Sequence, residues 1–191
     1  MITAAILFLL LTDLQGEVVA VKDGDTVVVL VDKTLVTIRL ASIDAPEKKQ
    51  PFGQQSKAAL SSLVFGKTIR VVTSGKDRYG RTIGTLYDGE TNVNDEMIAT
   101  GMAWHYTRFS SDVDLSMLEC SARTNSLGLW SGLHCVPPWE YRLRRIRENG
   151  VSISKVSFIV QSPAVSASIT TQSRTVESGQ SPSCTSSSTS R

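Results

Sequence analysis

The stretch EVVAVKDGDTVVVLVDKTLVTIRL, residues 17–40, decides the fold. It is rich in Val, Ile and Thr, the residues that favour extended strands. It predicts three strands, with turns at Asp23-Gly24 and Asp32-Lys33 between them. The strands run from Glu17 to Lys22, from Thr26 to Val31 and from Leu35 to Leu40. The segment therefore predicts a three-stranded antiparallel meander.

The third strand has two faces of different character. Val36, Ile38 and Leu40 alternate with Leu35, Thr37 and Arg39. Because successive side chains of a strand point to opposite faces, we expect the first set to face the core. Arg39 is then expected to project from the other face.

The remaining elements follow from helical spacing, turn residues and further runs of β-branched residues. A helix is predicted from Gln54 to Phe65, strands over Thr68–Thr73 and Thr82–Asp88, a short helix capped by Asn92 or Asn94 and ending near Gly101, and a last helix from Asp112 to Ser126. Five short strands with a helix after the third indicate a closed barrel of the oligonucleotide-binding (OB) type. The predicted fold is mainly β with helices (α+β): a five-stranded OB-fold barrel capped by three helices.

Composition limits the possible functions. The chain is 41% hydrophobic and has a net charge of +2. Residues 17–150 contain 17 Lys and Arg and 16 Asp and Glu. Tight nucleic-acid binders usually show a basic surface, because neutralising phosphate drives their affinity. A nearly neutral domain is more typical of an enzyme that binds its substrate transiently.

The two ends differ from the predicted domain at 17–150. Residues 1–16 begin with an apolar run, Met1 to Leu11, which is too short for a bilayer span and fits the apolar region of a secretory signal. We expect export to the periplasm or the medium; the alternatives are a mis-assigned start codon or an uncleaved membrane tether. Residues 151–191 contain 19 Ser and Thr in 41 positions and are expected to be disordered. Within them, Val156 to Val160 is a weak strand candidate.

Three carboxylates suggest a cation site. Asp25 opens the second strand, and Asp44 and Glu47 flank Pro46. Carboxylates near one point repel each other unless a cation intervenes, and oxygen ligands select a hard cation such as Ca²⁺. Taken alone, the Asp-Gly segment before Asp25 is also compatible with an ordinary hairpin turn, and the segment from Asp44 to Glu47 with an ordinary loop.

Two arginines strengthen this interpretation, because a guanidinium matches two phosphate oxygens. Arg39 lies five residues before Asp44, so an unbroken strand would point them to opposite faces. The chain must bulge or leave the sheet after Ala41 for both to line one pocket. Arg81 follows Tyr79-Gly80 and directly precedes the strand predicted over Thr82–Asp88. Either arginine alone could be a solvated surface charge.

Together these motifs resemble the staphylococcal nuclease family over roughly residues 17–132. The matching segments are Asp-Gly-Asp-Thr at 23–26, Arg-Leu-(x)3-Asp-Ala-Pro-Glu at 39–47, Asp-Arg-Tyr-Gly-Arg at 77–81, Asn-Val-Asn at 92–94 and Gly-Leu-Trp at 128–130. Residues 137–142, Pro-Pro-Trp-Glu-Tyr-Arg, are similar to the end of many exported bacterial relatives. The combination is specific, although no single segment is.

The resemblance implies roles for individual residues. Asp25, Asp44 and the backbone carbonyl of Ala45 would bind Ca²⁺. Glu47 would deprotonate or orient the attacking water, while Arg39 and Arg81 would hold the scissile phosphate. Tyr79 and Tyr106 match positions near the nucleotide; the alternative for both is packing at the barrel rim.

The implied activity is calcium-dependent hydrolysis of DNA and RNA, with single strands preferred and 3′-phosphate ends left. Base identity should matter little, because every group named addresses the backbone. A monomer without a small-molecule cofactor is expected. The alternative is a non-catalytic OB-fold module that binds single strands.

Two features outside these motifs remain. Cys120 and Cys135 are a disulfide candidate, with unpaired thiols as the alternative; Cys184 has no evident partner. Arg142, Arg144, Arg145 and Arg147 form either a basic patch that tracks nucleic acid or a solvated helix end.

Overall fold

The structure is a computed structural model, and it describes residues 13–132 and 135–158, with side chains as far as residue 148. The chain divides into two compact units, residues 1–143 and 144–191. The first unit holds the barrel and its helices. In the second, the described backbone is helical as far as Phe158.

Eight strands are found among the described residues: β1 (Asp13–Asp23), β2 (Thr26–Val31), β3 (Thr34–Leu40), β4 (Ile43–Asp44), β5 (Thr68–Lys76), β6 (Thr82–Asp88), β7 (Thr91–Asn92) and β8 (Trp104–His105). The helices of this part of the chain are α1 (Gly53–Val64), α2 (Val93–Ala99), α3 (Val113–Thr124), a short 3₁₀ helix (Gly128–Ser131) and α4 (Pro138–Phe158).

Five strands form the barrel that the sequence predicted. Their order is β3-β2-β1-β5-β6, with antiparallel neighbours. A parallel pairing of β3 with β6, in which Ile38 lies opposite Thr82, closes the sheet on itself. The two-residue β7 pairs antiparallel with β6, and β4 pairs with β8 in a separate small sheet. The predicted α+β class and OB-type barrel are confirmed.

The barrel interior is filled by the predicted alternation of apolar side chains. In β3, Ile38 and Leu40 are buried and Val36 is half-buried. Other strands add fully buried residues, and α1 and α2 cover the barrel with theirs. This core comprises Val18, Val27, Val29, Ile38, Leu40, Ile69, Val71, Leu86, Leu60, Val64, Met97 and Ile98.

Two elements of the structure cross the boundaries of the predicted domain at residues 17–150. β1 begins at Asp13, within the segment assigned to a signal, and Asp13 lies opposite Val72 of β5. A boundary after Gly16 would therefore divide a paired strand. At the other end, α4 is a fourth helix that the sequence did not predict, and it continues over residues 151–158. The rest of the Ser/Thr-rich segment, 159–191, lies outside the described residues.

No helix within residues 13–132 and 135–158 has the length and apolar character needed to cross a membrane.

Candidate active site

Asp25 reaches the site because of the register between β2 and β3. Thr26 lies opposite Arg39 in that register. The backbone N–H of Leu40 donates to the carbonyl oxygen of Asp25 over 2.8 Å. Asp25, one residue before the paired position, is thereby fixed beside Arg39 at the end of the barrel.

Gly24 allows a close approach of the chain on the other side of Asp25. A Cβ atom at this position would lie 1.9 Å from Ser56 Oγ and 2.8 Å from the Cβ of Ala45. Contacts that short do not occur, so the position requires glycine. The absence of a side chain lets Ala45 sit against the turn, and its backbone N–H donates to Asp25 Oδ2 over 3.2 Å.

The chain leaves the barrel after Ala41, as the spacing of Arg39 and Asp44 predicted. The N–H of Ala41 still donates to Gly84 O over 2.8 Å, but Ser42 has a φ of 64°, in the left-handed region. This turn reverses the side-chain alternation. Asp44, in the short strand β4, then returns to the same side as Arg39.

Arg39 joins the two aspartates. Its Nη1 lies 2.8 Å from Asp25 Oδ2, and its Nη2 lies 2.7 Å from Asp44 Oδ1. Burial lowers the pKa of Arg39, but the charges of Asp25 and Asp44 outweigh it and raise that pKa overall. One planar guanidinium thus holds two carboxylates that belong to different elements.

Burial dominates the titration of Asp25. It raises the pKa of this carboxyl from 3.8 to about 6, against the opposing effect of the Arg39 charge, and the neighbouring Asp23 raises it further. Thr26 Oγ1 donates to Asp25 Oδ1 over 2.8 Å. A buried carboxylate whose charge is only partly compensated favours a nearby cation.

Glu47 connects to this cluster through a residue that the sequence analysis did not assign to the site. Arg142 Nη1 lies 2.8 Å from Glu47 Oε1, and Arg142 Nη2 lies 2.8 Å from Asp44 Oδ2. Arg142 Nη1 also donates to Asp44 Oδ1 over 3.3 Å. Arg142 therefore bridges the exposed glutamate and a fully buried aspartate.

The segment that carries Arg142 is anchored near the site by two other contacts. The ring of Trp139 stacks on Tyr106, with centroids 5.3 Å apart and planes at 10°, and it meets Trp104 edge-on at 5.7 Å. Gln50 donates from Nε2 to Val136 O over 2.5 Å. Tyr106 therefore takes part in rim packing, which is the alternative that the sequence left open for it.

Arg81 and Tyr79 lie in a different set of contacts. Arg81 Nε is 2.6 Å from Asp77 Oδ2, and Asp77 Oδ1 accepts the backbone N–H groups of Tyr79 and Arg81 over 2.9 Å each. Burial raises the pKa of Asp77, but these hydrogen bonds lower it overall. Tyr79 is 69% exposed. Arg81 thus pairs with Asp77, whereas Arg39 pairs with Asp25 and Asp44.

The donor chemistry of the two aspartates fits a hard cation. Asp25 and Asp44 are buried, share one guanidinium and offer oxygen atoms only. Glu47 is separated from them by the Arg142 guanidinium, and in the described part of the chain no group of three or more His, Cys, Asp or Glu side chains is arranged to hold a metal. Asp25 and Asp44 are therefore the side chains that could ligate an ion here.

The predicted Cys120–Cys135 disulfide is wrong. Cys135 is a free thiol, and its Sγ donates to Leu129 O over 2.8 Å. The side chain is turned toward the 3₁₀ helix that ends at Ser131 rather than toward Cys120 on α3. Burial raises the pKa of the Cys135 thiol.

Arg142 was missed because it lies 98 residues after Asp44 along the chain. The sequence analysis placed it in a basic patch with three other arginines. A usable signal was the three-residue spacing of Trp139 and Arg142, which puts an aromatic anchor and a cation on one helix face.

Comparisons with known proteins agree with this geometry. The family described as "Staphylococcal nuclease homologue" matches residues 37–132. An Escherichia coli O157:H7 protein named "Uncharacterized endonuclease" is 46% identical over 138 residues, which cover 71% of this chain and 90% of the relative. "Protein ParB" of Escherichia coli is 45% identical, covering 68% and 80%. "Micrococcal nuclease" of Shigella flexneri is 41% identical, covering 68% and 81%.

Proposed function

Because the chain is a nuclease of the staphylococcal nuclease family, we propose that it hydrolyses phosphodiester bonds of DNA and RNA with the help of Ca²⁺ and little sequence specificity. The observation that carries this proposal is that the Arg39 guanidinium contacts both Asp25 and Asp44. Arg142 in turn links Glu47 to Asp44. A non-catalytic binding module has less support, since relatives at 41–46% identity are named as nucleases.

Asp25 and Asp44 would hold the cation. Both are buried at the barrel end, and their oxygens are the hard donors that Ca²⁺ prefers. Family resemblance adds the carbonyl oxygen of Ala45 as a third ligand, and the N–H of that residue already contacts Asp25. When bound, the ion supplies Lewis-acid stabilisation of a phosphate oxygen.

Glu47 would act on the attacking water. Its side chain is 34% exposed, so solvent and substrate can reach the carboxylate, and the link to Asp44 keeps it at the edge of the acidic cluster. A carboxylate in hydrogen-bond reach of a water can take its proton or fix its orientation. The water oxygen would bond to phosphorus as the bond from phosphorus to the 5′ oxygen breaks. The water gives its proton to Glu47 or to solvent, and the departing 5′ oxygen takes a proton from solvent, so that a 3′-phosphate and a 5′-hydroxyl are left.

The two arginines would bind the phosphate and the charge that develops on it. Arg39 lies in the cluster with its side chain 18% exposed, whereas Arg81 is 29% exposed and held by Asp77. Arg81 would approach the substrate from the loop before β6. The exposed ring of Tyr79 beside it offers a stacking surface for an unpaired base, which supports a preference for single strands.

A chelation assay tests the proposal. Purified protein should degrade heat-denatured DNA when Ca²⁺ is present and stop when a calcium chelator is added. For Glu47→Gln and Arg81→Ala we expect rates at least about 100-fold lower, the scale of lost general-base or electrostatic catalysis. Cutting that survives chelation contradicts the metal assignment, and normal cutting by either variant contradicts its role.

We also propose export and a monomeric state. The apolar run Met1 to Leu11 supports export. A cleavage site at Gly16 would divide β1, since the described part of that strand includes Asp13. Sequencing the N-terminus of secreted protein tests export, because retention of Met1 contradicts a cleaved signal. Light scattering tests the monomer.

A further inference from the structure

We propose that Arg142 is a positioning residue for Glu47, so that the C-terminal segment completes the nuclease site. This inference rests on the proposed role of Glu47 and gives a function to Arg142, which lies in the similar segment 137–142 but has no assigned role there and falls outside the matched family range. That range, residues 37–132, ends before α4 begins at Pro138.

The two carboxylates that Arg142 contacts differ in burial. Asp44 is 0% exposed and held from the other side by Arg39 at 2.7 Å. Glu47 is 34% exposed and follows Pro46 in the loop before α1. An exposed glutamate in a loop samples several rotamers, and fixing one of them lowers its entropy. Arg142 therefore attaches the exposed carboxylate to a buried, immobile one.

The guanidinium is suited to this role by its shape. Its Nη1 and Nη2 atoms each contact a carboxylate at 2.8 Å, Glu47 on one side and Asp44 on the other. A planar fork fixes the angle between the two carboxylates, whereas the ammonium of a lysine is a point charge without that geometry. The contact thus sets where the Glu47 carboxylate lies.

The placement of Arg142 is itself determined by neighbouring contacts. Trp139, one helical turn earlier, packs against Tyr106 and Trp104. The side-chain oxygen Oε1 of Gln50 accepts a hydrogen bond from the backbone N–H of Glu47 over 3.2 Å, and its Nε2 donates to the carbonyl oxygen of Val136. The same amide therefore ties the backbone of the Glu47 loop to the segment that delivers Arg142.

A double-mutant cycle tests the proposal in the full-length protein, with heat-denatured DNA and saturating Ca²⁺. The variants are Arg142→Gln, Arg142→Lys, Glu47→Gln, the double variant Glu47→Gln/Arg142→Gln, and Arg70→Gln as a control that removes an equal charge from an exposed ion pair with Asp13. We expect Arg142→Gln to lower kcat about 10- to 100-fold with little change in KM, as for other residues that orient a functional group. Arg142→Lys should recover part of the loss, and Arg70→Gln should leave kcat unchanged.

In the double variant, Arg142→Gln should cause no further loss, because the group that it positions is already disabled. An equal loss in both backgrounds, a change in KM alone or an unchanged kcat overturns the inference. Recovery of the kcat of Arg142→Gln at a higher Ca²⁺ concentration also overturns the inference, because Arg142 would then act through Asp44 and the ion rather than through Glu47. Full activity of Glu47→Gln overturns the proposed role of Glu47 and this inference together.

Folding of each variant is checked by thermal unfolding. If Arg142→Gln does not fold, Arg142→Lys is compared with and without Glu47→Gln instead. The same non-additivity is expected, and additive losses again overturn the inference.

Discussion

The side-chain amide of Asn94 donates a hydrogen bond to the carbonyl oxygen of Ala41 over 2.9 Å. This contact joins the start of α2 to the point at which the chain leaves the barrel. Asn94 Oδ1 also accepts the N–H of Leu86 over 3.1 Å. The residue is 2% exposed, so water cannot replace these partners.

We expect Asn94→Ala to destabilise the protein by about 2–4 kcal/mol, since it leaves buried backbone groups of Ala41 and Leu86 unpaired. Denaturant unfolding measures the change. Asn92→Ala is the comparison, because Asn92 caps α2 with bonds to Asn94 N and Asp95 N and should cost about 1 kcal/mol. Equal losses in the two variants would contradict the special role of Asn94.

Gly24→Ala should destabilise the protein by about 1–3 kcal/mol through overpacking. The added Cβ would meet Ser56 Oγ and the Cβ of Ala45, so the chain beside Asp25 has to move. Thermal unfolding and the nuclease rate should both fall. Ser56→Ala removes the shorter contact but also the hydrogen bond of Ser56 to Met102 O, so it serves as a second background. Gly24→Ala should cost less stability in the Ser56→Ala background than in the wild type, and an equal cost in both would contradict steric crowding with Ser56 Oγ.

Asp77→Ala should lower kcat/KM about 10-fold or more, because Arg81 loses the contact that orients it. Asp88→Ala is a matched control, since it breaks an ion pair of equal length with Lys67 at the protein surface. That variant should cut normally. Equal activity of the two variants would show that Asp77 does not position Arg81.

Asp25→Asn should change how stability depends on pH when a chelator is present. The folded pKa of Asp25 is about 6 and its ordinary value is 3.8, so the folded state holds this proton more tightly. The stability that Asp25 contributes is fully present below its unfolded pKa and is lost as the pH rises through about 6.

Asparagine does not ionise, so the variant escapes that loss. Between about pH 4 and about pH 8 we expect the gap between the unfolding free energies of Asp25→Asn and the wild type to change in favour of the variant by on the order of 3 kcal/mol. Urea unfolding at several pH values measures this. A gap that is constant or grows on acidification would contradict the raised pKa.

The sequence predicted those parts of the site that depend on local rules. The two-residue period of β3 placed Arg39 away from Ile38 and Leu40, and the spacing to Asp44 required the chain to turn after Ala41. Both predictions are confirmed, because strand alternation and turn geometry are set by residues near one another in the chain.

The parts that sequence did not predict depend on contacts between distant residues. Arg142 reaches Asp44 and Glu47 because Trp139 docks against Tyr106, and no pattern within α4 specifies that docking site. The start of β1 at Asp13 has the same origin. Its first residues are not a typical strand sequence, but their backbones pair with β5.

The parallel pairing of Ile38 with Thr82 has a consequence for synthesis. β1, β2 and β3 emerge from the ribosome well before β6, so β3 has an open edge until residues 82–84 have been made. Open edges are sites at which strands of different chains associate. We therefore expect the nascent protein to be most prone to aggregate after β3 has emerged from the ribosome and before residues 82–84 have emerged, and a translational pause in that interval should lower the yield of soluble enzyme.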